Sequence, residues 1–302
     1  MLFRSGDEDA ADLIPDSPVN VQVSQPGDLW LLDKHRVLCG DALASEAYVK
    51  LMGGTQARMV FTDPPYNVPI DGHATGLGKI HHPEFLMAAG EMSEAEFADF
   101  LAGAFRLSAL NSREGSIHFV CMDWRHMLEI LTAGGHVYDE LKNLCVWTKD
   151  NAGMGSFYRS QHELVFVFKK GKSPRRNNIQ LGQFGRCRSN VWQYPGANSF
   201  SRSSHEGNLL ALHPTVKPVA MVADAVMDCS CRGDIVLDPF LGSGTTVIAA
   251  ERVGRICYGL ELDPRYIDTV IRRWQAFTGK PVLHEASGRM FQEVEEEAVH
   301  EQ

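Results

Sequence analysis

The stretch "DIVLDPFLGSGTTVIAAERVGR", residues 234–255, joins an apolar run to a helical pattern through a turn that contains two glycines. Gly242 and Gly244 permit a tight turn and a close approach of a ligand to the backbone. The first turn of the following helix offers free N–H groups to an anion or a carboxylate. A strand, a glycine turn and a helix in this order predict a ligand-binding crossover of an α/β protein.

The next apolar run, residues 256–263, contains an acid that suits a ribose. Glu261 lies where a carboxylate accepts hydrogen bonds from both ribose hydroxyls. The glycine turn has the spacing G-x-G-x-x-V, without the third glycine of the dinucleotide fingerprint and without the lysine of a P-loop. Both features favour a nucleoside cofactor that has no pyrophosphate. S-adenosyl-L-methionine meets this description, because it joins adenosine to an amino acid through a sulfonium.

Short apolar runs alternate with helical patterns along most of the chain. Helical patterns occur for example at 93–110, where Ser93 and Glu96 are spaced as a capping box, and at 266–277. The alternation predicts a doubly wound, mostly parallel seven-stranded sheet with helices on both faces. No helix separates the fourth and fifth runs, so they are expected to form an antiparallel pair at one edge. The predicted strands are 35–41, 58–63, 116–123, 144–150, 163–170, 234–240 and 256–263.

The stretch "MVFTDPPYNV", residues 59–68, ends a predicted strand on an acid, two prolines and a tyrosine. For these four residues alone, a turn that caps the core is a sufficient interpretation. Ligands of parallel sheets, however, bind at the carboxyl ends of the strands, and several acids share that position. The acids at the ends of predicted strands are Asp41, Asp63, Asp123, Asp238 and Asp263.

Charge is distributed unevenly along the chain. The 302 residues carry a net charge of -9, which by itself argues against a nucleic-acid-binding protein. Residues 169–202 nevertheless contain eight basic side chains and no acidic ones, with aromatic and amide residues between them. Such side chains contact phosphates and base edges, although a solubilising loop is the alternative. The predicted DNA contacts are Lys170, Lys172, Arg175, Arg176, Arg186, Arg188 and Arg202.

Composition limits the class of protein further. No apolar run reaches the roughly 18 to 20 residues that span a bilayer, and the start of the chain turns acidic where a signal peptide stays apolar. Seven scattered cysteines suit a reducing compartment better than a disulfide framework, and Cys229 and Cys231 lack a companion metal motif. We therefore expect a cytoplasmic protein without a metal site.

Four motifs together resemble the amino-methyltransferases of DNA, which methylate exocyclic amines of adenine or cytosine. They are "TDPPY" at 62–66, "HPTVKP" at 213–218, "DPFLGSGTT" at 238–246 and "YGLELDPRYID" at 258–268. The tetrapeptide precedes the glycine loop by more than 170 residues. This order resembles the permuted β class, in which the target-recognition region lies between the two motifs. The resemblance implies a circularly permuted, Rossmann-like methyltransferase fold with S-adenosyl-L-methionine as cofactor.

The resemblance implies a role for each motif residue. Asp63 and the carbonyl of Pro64 would accept hydrogen bonds from the target amine. Pro65 would stiffen the turn, and Tyr66 would stack on a base rotated out of the duplex. As structural alternatives, Lys217 is a surface lysine and both Asp41 and Thr245 are helix caps. The expected cofactor contacts are Asp41, Thr215, Lys217, Asp238, Phe240, Gly242, Gly244, Thr245 and Glu261.

The sequence thus predicts transfer of a methyl group from S-adenosyl-L-methionine to N6 of a flipped adenine in double-stranded DNA. In the family, Asp at position 63 leans toward adenine and Ser toward cytosine, so cytosine N4 stays open. A protein glutamine methyltransferase would carry Asn there. A catalytically silent DNA-binding protein and a nicotinamide dehydrogenase are alternatives from other classes. The resemblance is compatible with a homodimer, and with a cognate restriction nuclease or none.

The start of the chain also resembles the methylase half of proteins that carry an upstream ParB-like domain. The expected organisation of the chain has five parts. His81, His82 and Glu84 are interpreted as part of a mobile loop that closes over DNA and not as a metal site. The parts are a disordered acidic leader or linker stub at 1–25, a catalytic half at 26–168, a basic target-recognition insertion at 169–211, a cofactor-binding half at 212–284 and an acidic tail at 285–302.

Overall fold

The computed structural model describes residues 10–14, 21–68, 88, 90–153, 157–196 and 216–300. The strands in these residues are β1 Leu29–Leu32, β2 His35–Cys39, β3 Ala57–Thr62, β4 Ser112–Met122, β5 Glu140–Thr148, β6 His162–Lys169, β7 Val191–Gln193, β8 Ile235–Asp238, β9 Ile256–Glu261 and β10 Leu283–His284. The α-helices are α1 Ser45–Met52, α2 Glu94–Leu110, α3 Met127–Val137, α4 Val219–Cys229, α5 Thr245–Val253, α6 Pro264–Thr278 and α7 Phe291–His300.

All described strands belong to one sheet with the order β10-β1-β2-β9-β8-β3-β4-β6-β5-β7. The five strands from β2 to β4 in this order are parallel, and β6 runs antiparallel to both β4 and β5. The α/β prediction is confirmed, and each of the seven predicted strands is present. The sheet has ten strands, not seven, because β1, β7 and β10 are only two to four residues long and carry no readable period. The antiparallel pair also does not form the edge, since β7 adds to β5 in parallel.

The two faces of the sheet pack against different helices. Along β2 and β3, Val37 and Met59 belong to the core that contains α4, α5 and α6, whereas Leu38 and Val60 belong to the core that contains α1. Successive side chains of a strand point to opposite faces, so both faces of these strands are apolar. The predicted capping box of α2 is present, because the Ser93 backbone N–H donates to the Glu96 carboxylate at 2.9 Å.

Parts of the predicted leader pack against the domain. The backbone N–H groups of Val23 and Ser24 donate to the carboxylate of Asp268 on α6 at 2.8 and 3.0 Å. Asp12 accepts a hydrogen bond from the Val219 backbone N–H, at the start of α4, at 2.7 Å. Residues 10–14 and 21–25 therefore differ from the disordered leader that the sequence predicts. The reason is that buried backbone donors need acceptors, and a distant helix supplies one.

The end of the chain is also structured where it is described. Phe291, the first residue of α7, is fully buried, and its ring centroid lies 5.3 Å from that of Trp30 on β1. The acidic tail thus contains a helix that is anchored by an aromatic contact. No helix in the described ranges has the length and hydropathy of a membrane span. All seven cysteines are free thiols.

Candidate active site

The two main motifs meet at the carboxyl ends of neighbouring strands. β3 and β8 are paired in parallel, with Met59 opposite Val236 and Val60 opposite Leu237. Asp63 directly follows β3, and Phe240 follows β8 by two residues. Segments that leave parallel neighbours at the same end emerge side by side. The structure therefore brings the tetrapeptide and the glycine loop together at one rim of the sheet.

Asp63 lies in a cluster of charged side chains. Its Oδ1 accepts a hydrogen bond from the Tyr66 hydroxyl at 2.6 Å, and its Oδ2 pairs with Lys217 Nζ at 2.5 Å. Lys217 Nζ also lies 3.0 Å from Glu163 Oε2, and Lys149 Nζ lies 2.5 Å from Glu163 Oε1. The cluster therefore contains two carboxylates and two ammonium groups, and the two carboxylates share Lys217.

Burial and neighbouring charges set the protonation of the cluster. Burial raises the pKa of Asp63; Lys217 opposes this rise and the charge of Glu163 adds to it. Burial also acts to raise the pKa of Glu163, but Lys217 and Lys149 outweigh it and lower that pKa to about 2. Burial acts to lower the pKa of Lys217, and the two carboxylates more than compensate and raise it. Glu163 is consequently the permanently charged carboxylate, and Asp63 is the more basic one.

The structure places Lys217 between two carboxylates of the protein. The sequence predicts that it holds the carboxylate of the cofactor, but its ammonium lies between Asp63 and Glu163 and is 4% exposed. A buried ammonium needs carboxylate partners, and Glu163 joins the site from a separate strand that sequence reasoning did not connect with it. Glu163 and Lys149 were therefore missed. The sequence marks them only as two ionisable residues, one directly after β5 and one near the start of β6, beside apolar stretches.

The glycine loop is tied to Glu261. The Gly242 backbone N–H donates to Glu261 Oε2 at 2.8 Å, and the Asp263 backbone N–H donates to Glu261 Oε1 at 2.9 Å. Burial raises the pKa of Glu261 to about 7. Within the described residues, no ion pair engages this carboxylate. A partly buried carboxylate that accepts from two backbone N–H groups of the described residues, and pairs there with no cation, fits the hydroxyl pair of a ribose, so the site suits a nucleoside cofactor.

Gly244 is required by both conformation and packing. It lies at φ +83° directly before α5, and a Cβ atom at this position would come within 2.9 Å of Val270 Cγ1 on α6. Gly242 also has a positive φ, of 53°. Beside the loop, the Phe240 ring packs against Phe100 of α2, with ring centroids 5.9 Å apart. The loop is therefore held from both faces of the sheet.

Asp238 and Asp41 have partners within the protein. Asp238 is 3% exposed and accepts hydrogen bonds from Thr62 Oγ1 at 2.9 Å and Thr246 Oγ1 at 2.6 Å. It ties β3 to α5 beneath the rim, and burial raises its pKa to about 7. Asp41 accepts from the Leu43 backbone N–H at 2.8 Å, just beyond β2. Asp238 thus supports the loop, while Asp41 lies at the same rim as Glu261, since β2 and β9 are parallel neighbours.

Arg273 supports the loop from below, and sequence reasoning missed it. The guanidinium of this residue on α6 is 1% exposed and donates to the Ser243 carbonyl at 3.1 Å, to Thr245 Oγ1 at 3.2 Å and to the Ala11 carbonyl at 3.0 Å. Burial lowers its pKa to about 10, so it stays charged at neutral pH. Thr245 therefore has a structural role beside any contact with the cofactor. No motif marks this arginine in the sequence.

The start of the basic segment lies far from Asp63. β6 is antiparallel to β4, with Lys169 opposite Ile117, and Ile117 is opposite Met59 of β3. Met59 precedes Asp63 by four residues, which is on the order of 13 Å along a strand. Lys170 and the residues after it therefore begin at the opposite end of the sheet. There, Lys170 and Lys172 line an open cleft of about 530 Å³ together with Arg106, Glu114, His136 and Asp139.

Arg186 and Arg188 are engaged inside the protein. Arg186 Nη2 lies 2.7 Å from Asp228 Oδ1 and 3.1 Å from Asp224 Oδ1, and Arg188 Nη1 lies 3.1 Å from Asp224 Oδ2. These contacts dock the segment on α4, so the DNA-contact prediction is not supported at these two arginines. Charge along a sequence does not reveal which arginines find internal carboxylates. Arg202, Thr215 and the loop with His81, His82 and Glu84 lie outside the described residues.

The loop between β5 and β6 reaches the rim with exposed aromatic residues. Met122 at the end of β4 is opposite Leu164, so the start of β6 and the end of β5 lie on the same side of the sheet as Asp63. Phe157 and Tyr158 in this loop are 85% and 89% exposed, with ring centroids 4.4 Å apart. The rim thus carries two exposed aromatic side chains that lie outside the basic segment.

A parallel sheet with an acidic rim, a glycine loop and a fixed ribose acid defines a Rossmann-like, nucleoside-dependent methyltransferase. The chain belongs to the family of N6/N4 DNA methylases, whose model matches residues 57–272. The family uses S-adenosyl-L-methionine, and its substrate is duplex DNA. The predicted family, fold and cofactor are thereby confirmed, and the protein is a DNA methyltransferase.

The chain is similar in sequence to an adenine methyltransferase and in fold to two further methylases. The DNA adenine methyltransferase YhdJ of Escherichia coli (strain K12) is 26% identical over 262 residues, which cover 78% of this chain and 81% of that protein. The structure resembles that of the cytosine-N4-specific PvuII DNA methyltransferase, with a TM-score of 0.60 at 16% identity, over 89% of this chain and 92% of that one. It also resembles a DNA modification methylase of Thermus thermophilus in complex with S-adenosyl-L-methionine, with a TM-score of 0.54 at 22% identity, over 85% and 96% of the two chains. Both structural likenesses concern the fold.

Proposed function

We propose that this protein methylates the N6 amine of an adenine that is rotated out of duplex DNA. The observation that carries the proposal is the fixed carboxylate of Asp63, which is held by Tyr66 and Lys217 directly before the stiff Pro64-Pro65 turn. Asp at this position leans toward adenine in the family that the motifs resemble. The likeness to an adenine methyltransferase over most of both chains supports the same target.

The residues of the cluster suit a reaction at a weakly nucleophilic amine. The amine lone pair is delocalised into the ring, so positioning and local electrostatics have to lower the barrier. When bound, the cofactor supplies a methyl group on a sulfonium. Asp63 accepts a hydrogen bond from the amine and helps the Pro64 carbonyl to orient it, so that the nitrogen lone pair faces the methyl group that a cofactor held by the glycine loop and Glu261 would supply. The proton that the nitrogen then loses passes to Asp63, the more basic carboxylate, and from there to solvent.

Tyr66 provides a surface for the flipped base. Its hydroxyl donates to Asp63 at 2.6 Å and lies 3.2 Å from Glu163 Oε2, which holds the hydroxyl end of the ring in place. A fixed aromatic ring stabilises an extrahelical base by stacking, which offsets part of the cost of unpairing. We place the duplex at the rim that carries Asp63 and the aromatic loop, and the action of the enzyme in the cytoplasm. A homodimer and a cognate nuclease stay expectations of the resemblance.

The N4 amine of cytosine is the second candidate. Asp63 accepts a hydrogen bond equally well from any planar exocyclic amine, because a carboxylate reads the donor and not the ring. Discrimination between the two bases therefore depends on pocket contacts beyond the tetrapeptide.

Analysis of the methylated product tests the proposal directly. The purified protein is incubated with S-adenosyl-L-methionine and unmethylated bacterial DNA, and the DNA is digested to nucleosides for mass spectrometry. N6-methyladenine is the expected product. N4-methylcytosine would establish the second candidate, and absence of both together with absent cofactor binding would favour a silent DNA-binding protein.

A further inference from the structure

We propose that Glu163, with Lys149 behind it, is a positioning residue that sets how strongly Asp63 accepts a hydrogen bond from the target amine. The inference rests on the proposed function and adds two residues from the β5–β6 hairpin to the reaction. Neither belongs to a motif that the sequence reveals.

The geometry places Glu163 on the same two groups that hold Asp63. Its Oε2 lies 3.0 Å from Lys217 Nζ and 3.2 Å from the Tyr66 hydroxyl. Asp63 contacts the same ammonium at 2.5 Å and the same hydroxyl at 2.6 Å. The Glu163 side chain is 12% exposed. The two carboxylates therefore compete for one ammonium and one hydroxyl in a site that is largely screened from water.

Lys149 acts on this competition from the other side. Its Nζ lies 2.5 Å from Glu163 Oε1 and 4.6 Å from the centroid of the Trp147 ring, and Lys217 Nζ lies 6.0 Å from the same ring. The two ammonium groups thus contact different oxygens of the Glu163 carboxylate. Lys149 neutralises part of the Glu163 charge, which leaves Lys217 closer to Asp63 than to Glu163.

The two residues therefore have opposite effects on Asp63. Removal of the Glu163 charge ends the repulsion between the carboxylates and gives Lys217 to Asp63 alone, so the pKa of Asp63 falls and its oxygen becomes a weaker acceptor. Removal of Lys149 leaves Glu163 less neutralised, so Glu163 draws Lys217 toward itself and the pKa of Asp63 rises. A scaffold role for either residue predicts no such opposite shifts.

Other ionisable groups also face Asp63. Burial raises the pKa of the Cys121 thiol on β4 well above its ordinary value, so this thiol stays neutral. Burial raises the pKa of Asp238 on β8 to about 7, and this carboxyl interacts with Asp63. Both groups are present in all the variants proposed below, so their effects on the pH profile cancel when the variants are compared.

The test is the dependence of single-turnover methyl transfer on pH, from about pH 5 to about pH 9. We expect Glu163→Gln to lower the plateau rate roughly tenfold or more and to move the acidic limb of the profile to lower pH. We expect Lys149→Gln to move the same limb to higher pH. The matched control is Glu140→Gln, which removes the carboxylate of the Lys142–Glu140 pair, 2.6 Å apart, at the other end of β5; its profile is expected to coincide with that of the wild type.

Cofactor affinity and Glu163→Asp complete the design. The dissociation constant for S-adenosyl-L-methionine is expected to stay within a few-fold of the wild-type value in all variants. Glu163→Asp keeps the charge, so its acidic limb is expected to lie closer to that of the wild type than the acidic limb of Glu163→Gln does. If the wild type is active and the pH profiles of Glu163→Gln and Lys149→Gln coincide with those of the wild type and the control, the inference is overturned but the proposed function stands. A wild type that forms no methylated base overturns the proposed function, and the inference with it.

Discussion

At the scale of single residues, Asp63 shows how a turn acquires chemistry from its surroundings. The two prolines after it lack backbone donors and end the strand, which the sequence already indicates. What makes Asp63 more than a turn residue is the ammonium of Lys217 at 2.5 Å, which comes from a segment 154 residues away. A partly buried acid whose pKa is raised by burial, and whose position is fixed by a shared ammonium, is a suitable acceptor for a weakly acidic amine.

Substitution of Asp63 tests this role. Asp63→Ala is expected to lower methyl transfer by roughly 100-fold to 1,000-fold or more, because it removes the acceptor that orients the amine. Cofactor affinity should change by only a few-fold, since Glu261 and the glycine loop are untouched. Quantification of methylated nucleoside and titration calorimetry measure the two effects. Asp123→Ala is the control: this acid ends β4 at the same rim but contacts the backbone N–H of Arg125 at 3.1 Å. Retained turnover in Asp63→Ala would remove the tetrapeptide from the mechanism.

Glu261 predicts that cofactor binding depends on pH. Burial raises its pKa to about 7, so the carboxyl is protonated below this pH and accepts hydrogen bonds less strongly from ribose hydroxyls. Affinity for S-adenosyl-L-methionine should therefore fall as the pH decreases through 7. The stability of the free protein changes in the opposite sense, because a raised carboxyl pKa contributes stability that is lost as the pH rises toward 7.

Calorimetric titrations at one pH unit on either side of this pKa provide the measurement. Glu261→Gln is the control, since an amide does not titrate and the remaining pH dependence then belongs to other groups such as Asp238. Equal wild-type affinities at both pH values would contradict the assignment of Glu261 to the ribose.

At the scale of elements, the crossover from β8 to α5 depends on conformations that only glycine adopts readily. Gly244 combines a positive φ with a close neighbour on α6, and Arg273 holds the loop from beneath. Asp238 joins β3 to α5 through two threonine hydroxyls. Contacts within the protein thus hold the glycine loop on both sides of the crossover.

Gly244→Ala separates strain from packing when it is compared with Gly233→Ala. Both glycines have φ near 80°, but a Cβ atom at Gly233 would have no neighbour within 4 Å, whereas one at Gly244 would meet Val270 at 2.9 Å. Gly233→Ala should cost about 1–2 kcal/mol of unfolding free energy from the left-handed backbone alone. Gly244→Ala should cost more and should also weaken cofactor binding. Urea denaturation measures both costs, and equal losses would show that the loop tolerates the added methyl group.

The β5–β6 loop predicts a DNA contact made by aromatic rings. Phe157→Ala and Tyr158→Ala should each weaken binding of duplex DNA severalfold, because each removes exposed apolar surface that would be buried against the DNA. Val49→Ala is the matched control, since this side chain is 74% exposed on α1, outside both the β5–β6 loop and the basic segment. Fluorescence anisotropy at constant salt compares the variants. If the two aromatic variants and the control all bind the duplex with the affinity of the wild type, the loop does not contact DNA.

At the scale of the whole molecule, the basic segment begins at the end of the sheet opposite Asp63 and returns toward the rim with β7, which is parallel to β5. Its arginines hold this path by contacts with α4. Charge that the sequence assigns to DNA binding therefore serves in part, at Arg186 and Arg188, to attach the basic segment to α4.

Arg186→Met is expected to destabilise the protein. It removes donors at 2.7 and 3.0 Å from Asp228, which is 6% exposed. A loss of about 1–3 kcal/mol follows, because a buried carboxylate loses hydrogen bonds to a charged group. Arg176→Met is the control, since this exposed arginine contacts only the Asn178 side chain among the hydrogen bonds of the described residues, at 2.8 Å. Equal unfolding midpoints in urea would show that the segment is not anchored through Arg186.

The sequence by itself determined the seven main strands, the glycine crossover, the tetrapeptide and the family. These features depend on local periodicity and on residues that are adjacent in the chain, which a single sequence displays. The three short strands, the docked parts of the leader, the Asp63–Lys217–Glu163–Lys149 cluster and the internal partners of Arg186 and Arg188 were decided by the tertiary structure alone. The physical reason is that each of them pairs groups from distant segments, and neither charge nor hydrophobic pattern along the chain specifies which distant partner a buried polar group will find.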